Sequence, residues 1–225
     1  MARNVAARAG KRPGKRLSRG HDAAATREAL LKSATQLFAE RGFDAVTVAD
    51  IAQQAGVNKA LINYHFGGKL QLYRTIVREL FNELVVRVEP LRHDARAPGE
   101  VLRELIAIVG ELAMTQRPHF PRMLLREVMA GGPHLDQEIL AYPMRVFAVV
   151  RETIARGIQE GVFRPVDPIL THLSLVGSLV FFFATADFRR RMMAQARLAI
   201  EPPAPEAYVR HIQDLIARGL AVDEP

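Results

Sequence analysis

Asn58, Lys59, Ala60, Asn63 and Tyr64 have the residue types and spacing to share the outer face of one short helix. Asn and Lys can hydrogen-bond base edges in a major groove wide enough for a single helix, and Ala60 can touch a thymine methyl. Thr47, Tyr64 and Lys69 add hydroxyl or ammonium donors at helix ends, where free backbone N–H groups and the helix dipole favour phosphate. His65 stands beside them with two readings open: a phosphate contact, or a ring packed between helices next to the apolar Phe66.

Bond-making chemistry finds no comparable set. The histidines, at 21, 65, 93, 119, 134, 172 and 211, include no i,i+4 pair and no HExxH. No GxSxG occurs, and Gly10 to Gly14-Lys15 is one residue short of a P-loop and precedes no strand. With no cysteine, disulfides, thiolate catalysis and Cys-ligated metals are excluded. The chain is therefore expected to have neither catalytic residues nor metal nor cofactor.

The elements that must position the outward face follow from periodicity. Leu30, Leu31, Ala34, Leu37 and Phe38 predict a first helix over about 24 to 41, with Gly42 as a left-handed cap. Thr47 can cap a second helix to about Gln54, and Asp50 at its third position completes something close to a capping box. Ala55, Gly56 and Val57 make a turn, and Asn58 can cap a third helix reaching His65, ended by Gly67 and Gly68. Two short helices around a glycine turn are the helix-turn-helix layout, with Ile51, Val57 and Ile62 as its core and Ala52 at the close approach. A long fourth helix starts near Lys69 and carries Leu70, Tyr73, Ile76, Val77, Leu80, Phe81 and Leu84 before Pro90.

Residues 26 to 73, with LFAERGFDAVTVADIAQQAGV followed by YHFGGKLQLY, closely resemble the DNA-binding domain of the TetR/AcrR family of bacterial transcriptional regulators. The resemblance implies a three-helix head that binds operator DNA as a homodimer, and a divergent helical body that senses a small-molecule effector and forms the dimer. It implies that Thr47 caps and meets phosphate, that 58–65 is the recognition helix, and that Lys69 grips phosphate. Asn58 and Asn63 depart from the pattern, since the family commonly has Ser or Thr at the first position and an aromatic at the second.

Beyond a polar link at 92–99, periodicity predicts helices at about 100–116, 119–130, 136–160, 166–194 and 204–220, broken by Pro118, Gly131-Gly132-Pro133, Pro165 and the prolines at 202, 203 and 205. Pro143 should kink one of them or mark its start. The fold class expected is all-α with about nine helices. An effector pocket is expected between the helices at 100–160, with Met114, Phe120, Met123, Tyr142 and Phe147 as apolar candidates, and Met129 and Met144 beside them. His119, Arg126, Glu127 and His172 are the polar candidates. Met and aromatic stripes at helical spacing are more often plain core.

Leu173, Val176, Gly177, Val180, Phe183 and Ala184 on one helix, and Tyr208, Ile212, Leu215 and Ile216 on the last, are candidates for a four-helix dimer interface. The same residues would also close a monomer core. Arg189 to Arg191 read as a solvated helix end. The longest apolar stretch, Leu173 to Ala186, is too short for the roughly 20 residues of a membrane span.

The net charge of +7 lies wholly in residues 1–21, which hold Arg3, Arg8, Lys11, Arg12, Lys15, Arg16 and Arg19 and no acid. Such a block reads as a disordered basic arm, either a solvated extension or a second contact with DNA. The domain division expected is the arm at 1–21, the head at 22–68 and the body at 69–225, in a cytoplasmic protein. A nonspecific architectural protein acting through its basic arm is the alternative to a sequence-specific repressor.

Overall fold

The computed structural model describes residues 15–116, 118–196 and 201–222, with side chains described at all of these except 15–22 and 116. Among the described residues there are ten α-helices and no strand; Phe163 and Ala221 form an isolated β-bridge. The head comprises α1 (Lys15–Arg41), α2 (Val48–Ala55) and α3 (Ala60–Phe66). The first helix thus begins well before the expected residue 24, because Ala23, Ala24 and Ala25 let it propagate backwards at little cost. Of the expected basic arm, residues 1–14 lie outside the described residues.

The body is α4 (Lys69–Val88), α5 (Pro98–Glu111), α6 (Phe120–Met129), α7 (Gln137–Gln159), α8 (Pro168–Ala184), α9 (Ala186–Gln195) and α10 (Pro205–Leu220). A 3-10 turn at Glu89–His93 follows α4, and a π-helical turn at Leu112–Gln116 follows α5. Prolines at the first position of α5, α8 and α10 lack an N–H that the helix start would leave unused. The Asp136 carboxylate accepts from the Ile139 N–H at 3.0 Å, so α7 starts before Pro143 and runs through it. Pro143 there forgoes a hydrogen bond to the Ile139 carbonyl.

The single helix expected over 166–194 is two, bent by 59° at Thr185. The Thr185 hydroxyl donates back to the Phe181 carbonyl at 2.7 Å. The Arg189 guanidinium donates to the Phe182 carbonyl and to Thr185 Oγ1, and lies 3.8 Å from the Phe182 ring centroid. Arg189 is therefore a C-terminal cap of α8 and not a solvated helix end. Among the described residues no single helix is long and apolar enough to cross a membrane.

Two apolar cores share α4. Leu72, Tyr73, Ile76, Val77, Leu80 and Phe81 join a head core with Leu30, Phe38, Ile51 and Ile62, to which α6 and α7 add Met123 and Ile139. One turn further on, Val85 and Val88 belong to the body core with residues of α5, α7, α8 and α10. The fourth helix is thus a shaft shared by the head and the body.

Candidate nucleic-acid interface

Local sequence builds the helix-turn-helix. The Thr47 N–H donates to Asp50 Oδ2 at 2.8 Å, the Asp50 N–H donates to Thr47 Oγ1 at 3.1 Å, and the Thr47 hydroxyl donates to Asp50 Oδ2 at 2.7 Å. This capping box is closed, and the Thr47 side-chain and backbone hydrogen bonds hold the Asp50 pKa below its ordinary value. Since the Thr47 hydroxyl proton is committed to Asp50, the donors this end can offer an anion are backbone N–H groups of the first turn of α2. Gly56 at φ +67° reverses the chain, and its N–H satisfies the last carbonyls of α2. Ile51 and Ile62 are wholly buried, Ala52 is buried and Val57 is half-buried.

With Ile62 facing inward, Asn58, Lys59, Ala60, Asn63 and Tyr64 are all exposed, and Thr47 is exposed at the start of the adjacent helix. Asn58 Oδ1 accepts the Ala60 N–H at 2.9 Å, so Asn58 braces the helix start although the regular helix begins at Ala60. Tyr64 is 79% exposed, which rules out a core role in this chain. His65 is half-buried, edge-to-face with Tyr64 at 4.9 Å and tilted against Phe66 at 6.2 Å. Phe66 is half-buried, packs against the head core and lies under the Arg27 guanidinium at 5.4 Å.

Lys69 stands apart from this face. Half-buried, it places Nζ 4.1 Å from the centre of the Phe43 ring at the start of α4. Phe43 in turn lies 4.0 Å from the His134 ring and 5.2 Å from the Tyr73 ring. Behind them Glu127, only 5% exposed, accepts from the Tyr73 hydroxyl at 2.8 Å and the His134 N–H at 2.8 Å, with His134 Nδ1 at 3.1 Å. Burial, then the hydrogen bond to Glu127, raises the Tyr73 pKa well above its ordinary value. Arg126 adds a hydrogen bond to the Glu40 carbonyl at 3.1 Å, at the end of α1.

The expected pocket residues are therefore dispersed. Met123 is in the head core, while Arg126 and Glu127 form the junction between head and body. His119 lines a groove beside α1 and α4, and Met114 packs on the body core. Tyr142 stacks on Phe81 at 5.9 Å, and Phe147 meets the His172 ring edge-to-face at 5.5 Å. Phe120 and His172 do line a cavity, of about 180 Å3, between α4, α5, α6, α7 and α8.

The other walls of that cavity are residues missed in sequence. They include Leu80, Phe81 and Leu84 of α4, Val109 of α5, and Leu112 and Ala113 from the π-helical turn. Pro121 and Pro143 also contribute, and the proline inside a helical pattern at 143 was the one local signal available. Val176, Val180 and Phe183 of α8, expected at a dimer interface, line the cavity as well. Burial lowers the pKa of His172, so its ring is neutral at pH 7, and its Nδ1 is buried without a hydrogen-bond partner.

The remaining interface candidates divide by exposure. Leu173 is 60% exposed, and with Ile169, Leu170, Gly177 and Phe181 it forms an apolar stripe in solvent. Leu215 of α10 is likewise exposed. Ala184 is half-buried at the end of α8. Ile212 is buried and Ile216 packs on the body core, so these two close the monomer. Tyr208 stacks 3.8 Å from Phe182 and donates to the Ser178 carbonyl at 3.3 Å, which locks α10 against α8.

A helix-turn-helix head on an all-helical, cavity-bearing body defines a class of DNA-binding transcriptional regulators. The chain belongs to the TetR family: the profile described as "Bacterial regulatory proteins, tetR family" matches residues 30–76, and "Tetracyclin repressor-like, C-terminal domain" matches 98–220. It is similar to the HTH-type transcriptional repressor NicS of Pseudomonas putida, at 29% identity over 208 residues, covering 90% of this chain and 95% of that one. It is similar to the HTH-type transcriptional regulator RutR of Escherichia coli, at 29% identity over 150 residues, covering 67% of this chain and 70% of that one. Among solved structures, the TetR family regulator PfmR from Thermus thermophilus superposes with a TM-score of 0.70 at 27% identity, covering 88% of this chain and 98% of that one. Members of the family are dimeric regulators that bind operator DNA and small-molecule effectors. The chain is accordingly a sequence-specific DNA-binding transcriptional regulator.

Proposed function

We propose that two copies pair through α8 and α10 and set their heads in successive major grooves of a near-palindromic operator, roughly 34 Å apart. The protein acts as a repressor in the cytoplasm, and a small molecule entering the cavity releases it from DNA. The observation that carries this reading is the α3 surface, where the apolar residue faces inward and five residues suited to base and backbone contacts stand in water. Repression is supported by the relative NicS, which is named a repressor. The head at 22–68 and the body at 69–225 are the functional units, with the basic arm before them.

The route from cavity to head follows α4. Leu80, Phe81 and Leu84 line the cavity, and two turns earlier on the same helix Tyr73 joins Glu127. A ligand that prefers one position of α4 and α6 moves the heads relative to each other. A shift from mostly bound to mostly released needs a differential affinity of about 3–5 kcal/mol.

Base and phosphate roles separate by mutation. Lys59→Ala is expected to change which sequences are preferred, while Lys69→Ala weakens binding to all sequences and flattens the salt dependence by about one unit. Binding isotherms for matched and mismatched operators at several salt concentrations distinguish the two. Equal effects of both variants on preference and on salt slope contradict the assignment.

Selection of bound sequences from a random DNA pool at near-physiological salt, with the mass of the complex measured alongside, tests the proposal. The expected result is a palindromic motif bound by a dimer. Salt-dependent binding with no enriched motif would instead support the architectural alternative.

A further inference from the structure

We infer that the cavity takes a small uncharged molecule: an apolar body of one ring, about ten non-hydrogen atoms in all, with a single hydrogen-bonding group that meets the His172 side chain. The inference rests on the reading of this cavity as the effector site and names the class of ligand it admits.

Size sets the first limit. The cavity holds about 180 Å3, and an apolar protein cavity of about 150 Å3 accommodates benzene. One ring with one or two small substituents fills the space; a fused multi-ring skeleton exceeds it.

Polarity sets the second. Its walls are Leu, Val, Ala, Phe and Pro from five helices, and among the described residues His172 is the one lining side chain that can form a hydrogen bond. A charged ligand would surrender its hydration and find no counter-ion, because no Asp, Glu, Lys or Arg among the described residues lines the cavity. His172 does not supply the missing charge, since burial keeps its imidazole neutral. A wholly apolar ligand would fit but would leave the His172 ring without a polar partner in the cavity. One hydroxyl or carbonyl on the ligand can pair with the imidazole, in whichever tautomer the ring adopts.

Position makes such a ligand consequential. The π-helical turn at Leu112–Gln116 turns Leu112 and Ala113 toward the cavity, and α4 and α8 form two other walls. The occupant therefore touches both the shaft to the head and the helix that carries the exposed apolar stripe.

Calorimetric titration of the full-length protein with 4-methylphenol, toluene and 4-methylbenzoate at pH 8 tests the inference without DNA. Saturable binding of 4-methylphenol at one molecule per chain is expected, with toluene about tenfold weaker for want of one hydrogen bond, and no binding of the benzoate. His172→Phe should bring 4-methylphenol to the level of toluene and leave toluene binding in place, which separates a lost hydrogen bond from a lost fold. The inference is overturned if 4-methylbenzoate binds as well as 4-methylphenol, if His172→Phe leaves the preference for the phenol intact, or if the phenol fails to bind up to its solubility. Operator affinity measured with and without 4-methylphenol keeps the two readings apart. Binding of the phenol with no change in operator affinity would remove the switch and leave the ligand class standing, whereas operator binding by a protein that ignores the phenol would do the reverse.

Discussion

Leu173→Glu is expected to yield a folded monomer that no longer holds its operator. Leu173 is 60% exposed in the single chain, and Ile169, Leu170 and Phe181 around it are exposed to a similar degree, so the monomer core does not depend on it. Adding a carboxylate to a solvent-facing helix position changes stability by less than about 0.5 kcal/mol. In a two-fold dimer the same patch faces itself, so two carboxylates would enter an apolar interface near one another without a cation. Even about 4 kcal/mol of penalty, a fraction of full desolvation, weakens association by about a thousandfold. A monomer presents one recognition helix where the operator offers two half-sites, so specific affinity falls with it. Light scattering for mass, circular dichroism for fold and an operator titration together check this. A variant that remains dimeric with full operator affinity would show that α8 does not pair the chains.

Glu127→Ala should lower the free energy of unfolding by about 3 kcal/mol, a fall of roughly 6–12 °C in Tm for a chain of this length. The carboxylate is buried and accepts from the Tyr73 hydroxyl and the His134 N–H, and its removal leaves both donors buried without an acceptor. Glu127→Gln keeps one acceptor oxygen but turns an NH2 toward a donor, so about half of that loss is expected. The functional effect is distinct from the thermal one. Tyr73 is on the shaft helix, Glu127 on α6 and His134 in the turn before α7, so the network ties the position of the head to that of the body. Breaking it should reduce the ratio of operator affinities measured without and with effector, because coupling between sites is a free energy carried by contacts that differ between states. Thermal denaturation and paired operator titrations check both parts. Wild-type melting of Glu127→Ala would contradict the buried hydrogen bonds, and an unchanged affinity ratio would place the coupling elsewhere.

Much of the fold was legible because helices advertise themselves locally. The ends of α5, α6, α7 and α10 fall within a few residues of expectation, since Pro98, Pro205 and Asp136 act on the first turn of their own helices and the Gly131-Gly132 turn on the residues beside it. The outward face of α3 was legible for the same reason: once Ile62 turns inward, helical geometry sends Ala60 and Tyr64 to the opposite side. The break at Thr185 was hidden, because no proline or glycine marks it and the cause is a guanidinium four residues on, folding back over Phe182. Val176 and Val180 were equally ambiguous. Both suit a helix contact, and only the arrangement of neighbouring helices puts them on a cavity wall while Leu173 is left in solvent.

The sequence by itself determined the helical class, the capped helix-turn-helix and the side chains that face outward from it, because each depends on residues within one or two turns. The tertiary structure alone decided where the cavity lies, that His172 is its one polar lining side chain among the described residues, and that Tyr73, Glu127 and His134 meet. The hydroxyl and carboxylate of that network come from residues 54 positions apart, and hydrophobic periodicity has no access to such a distance. A cavity is also the place where side chains from five helices fail to meet, and an apolar residue reads the same in sequence whether it touches a neighbour or leaves a gap.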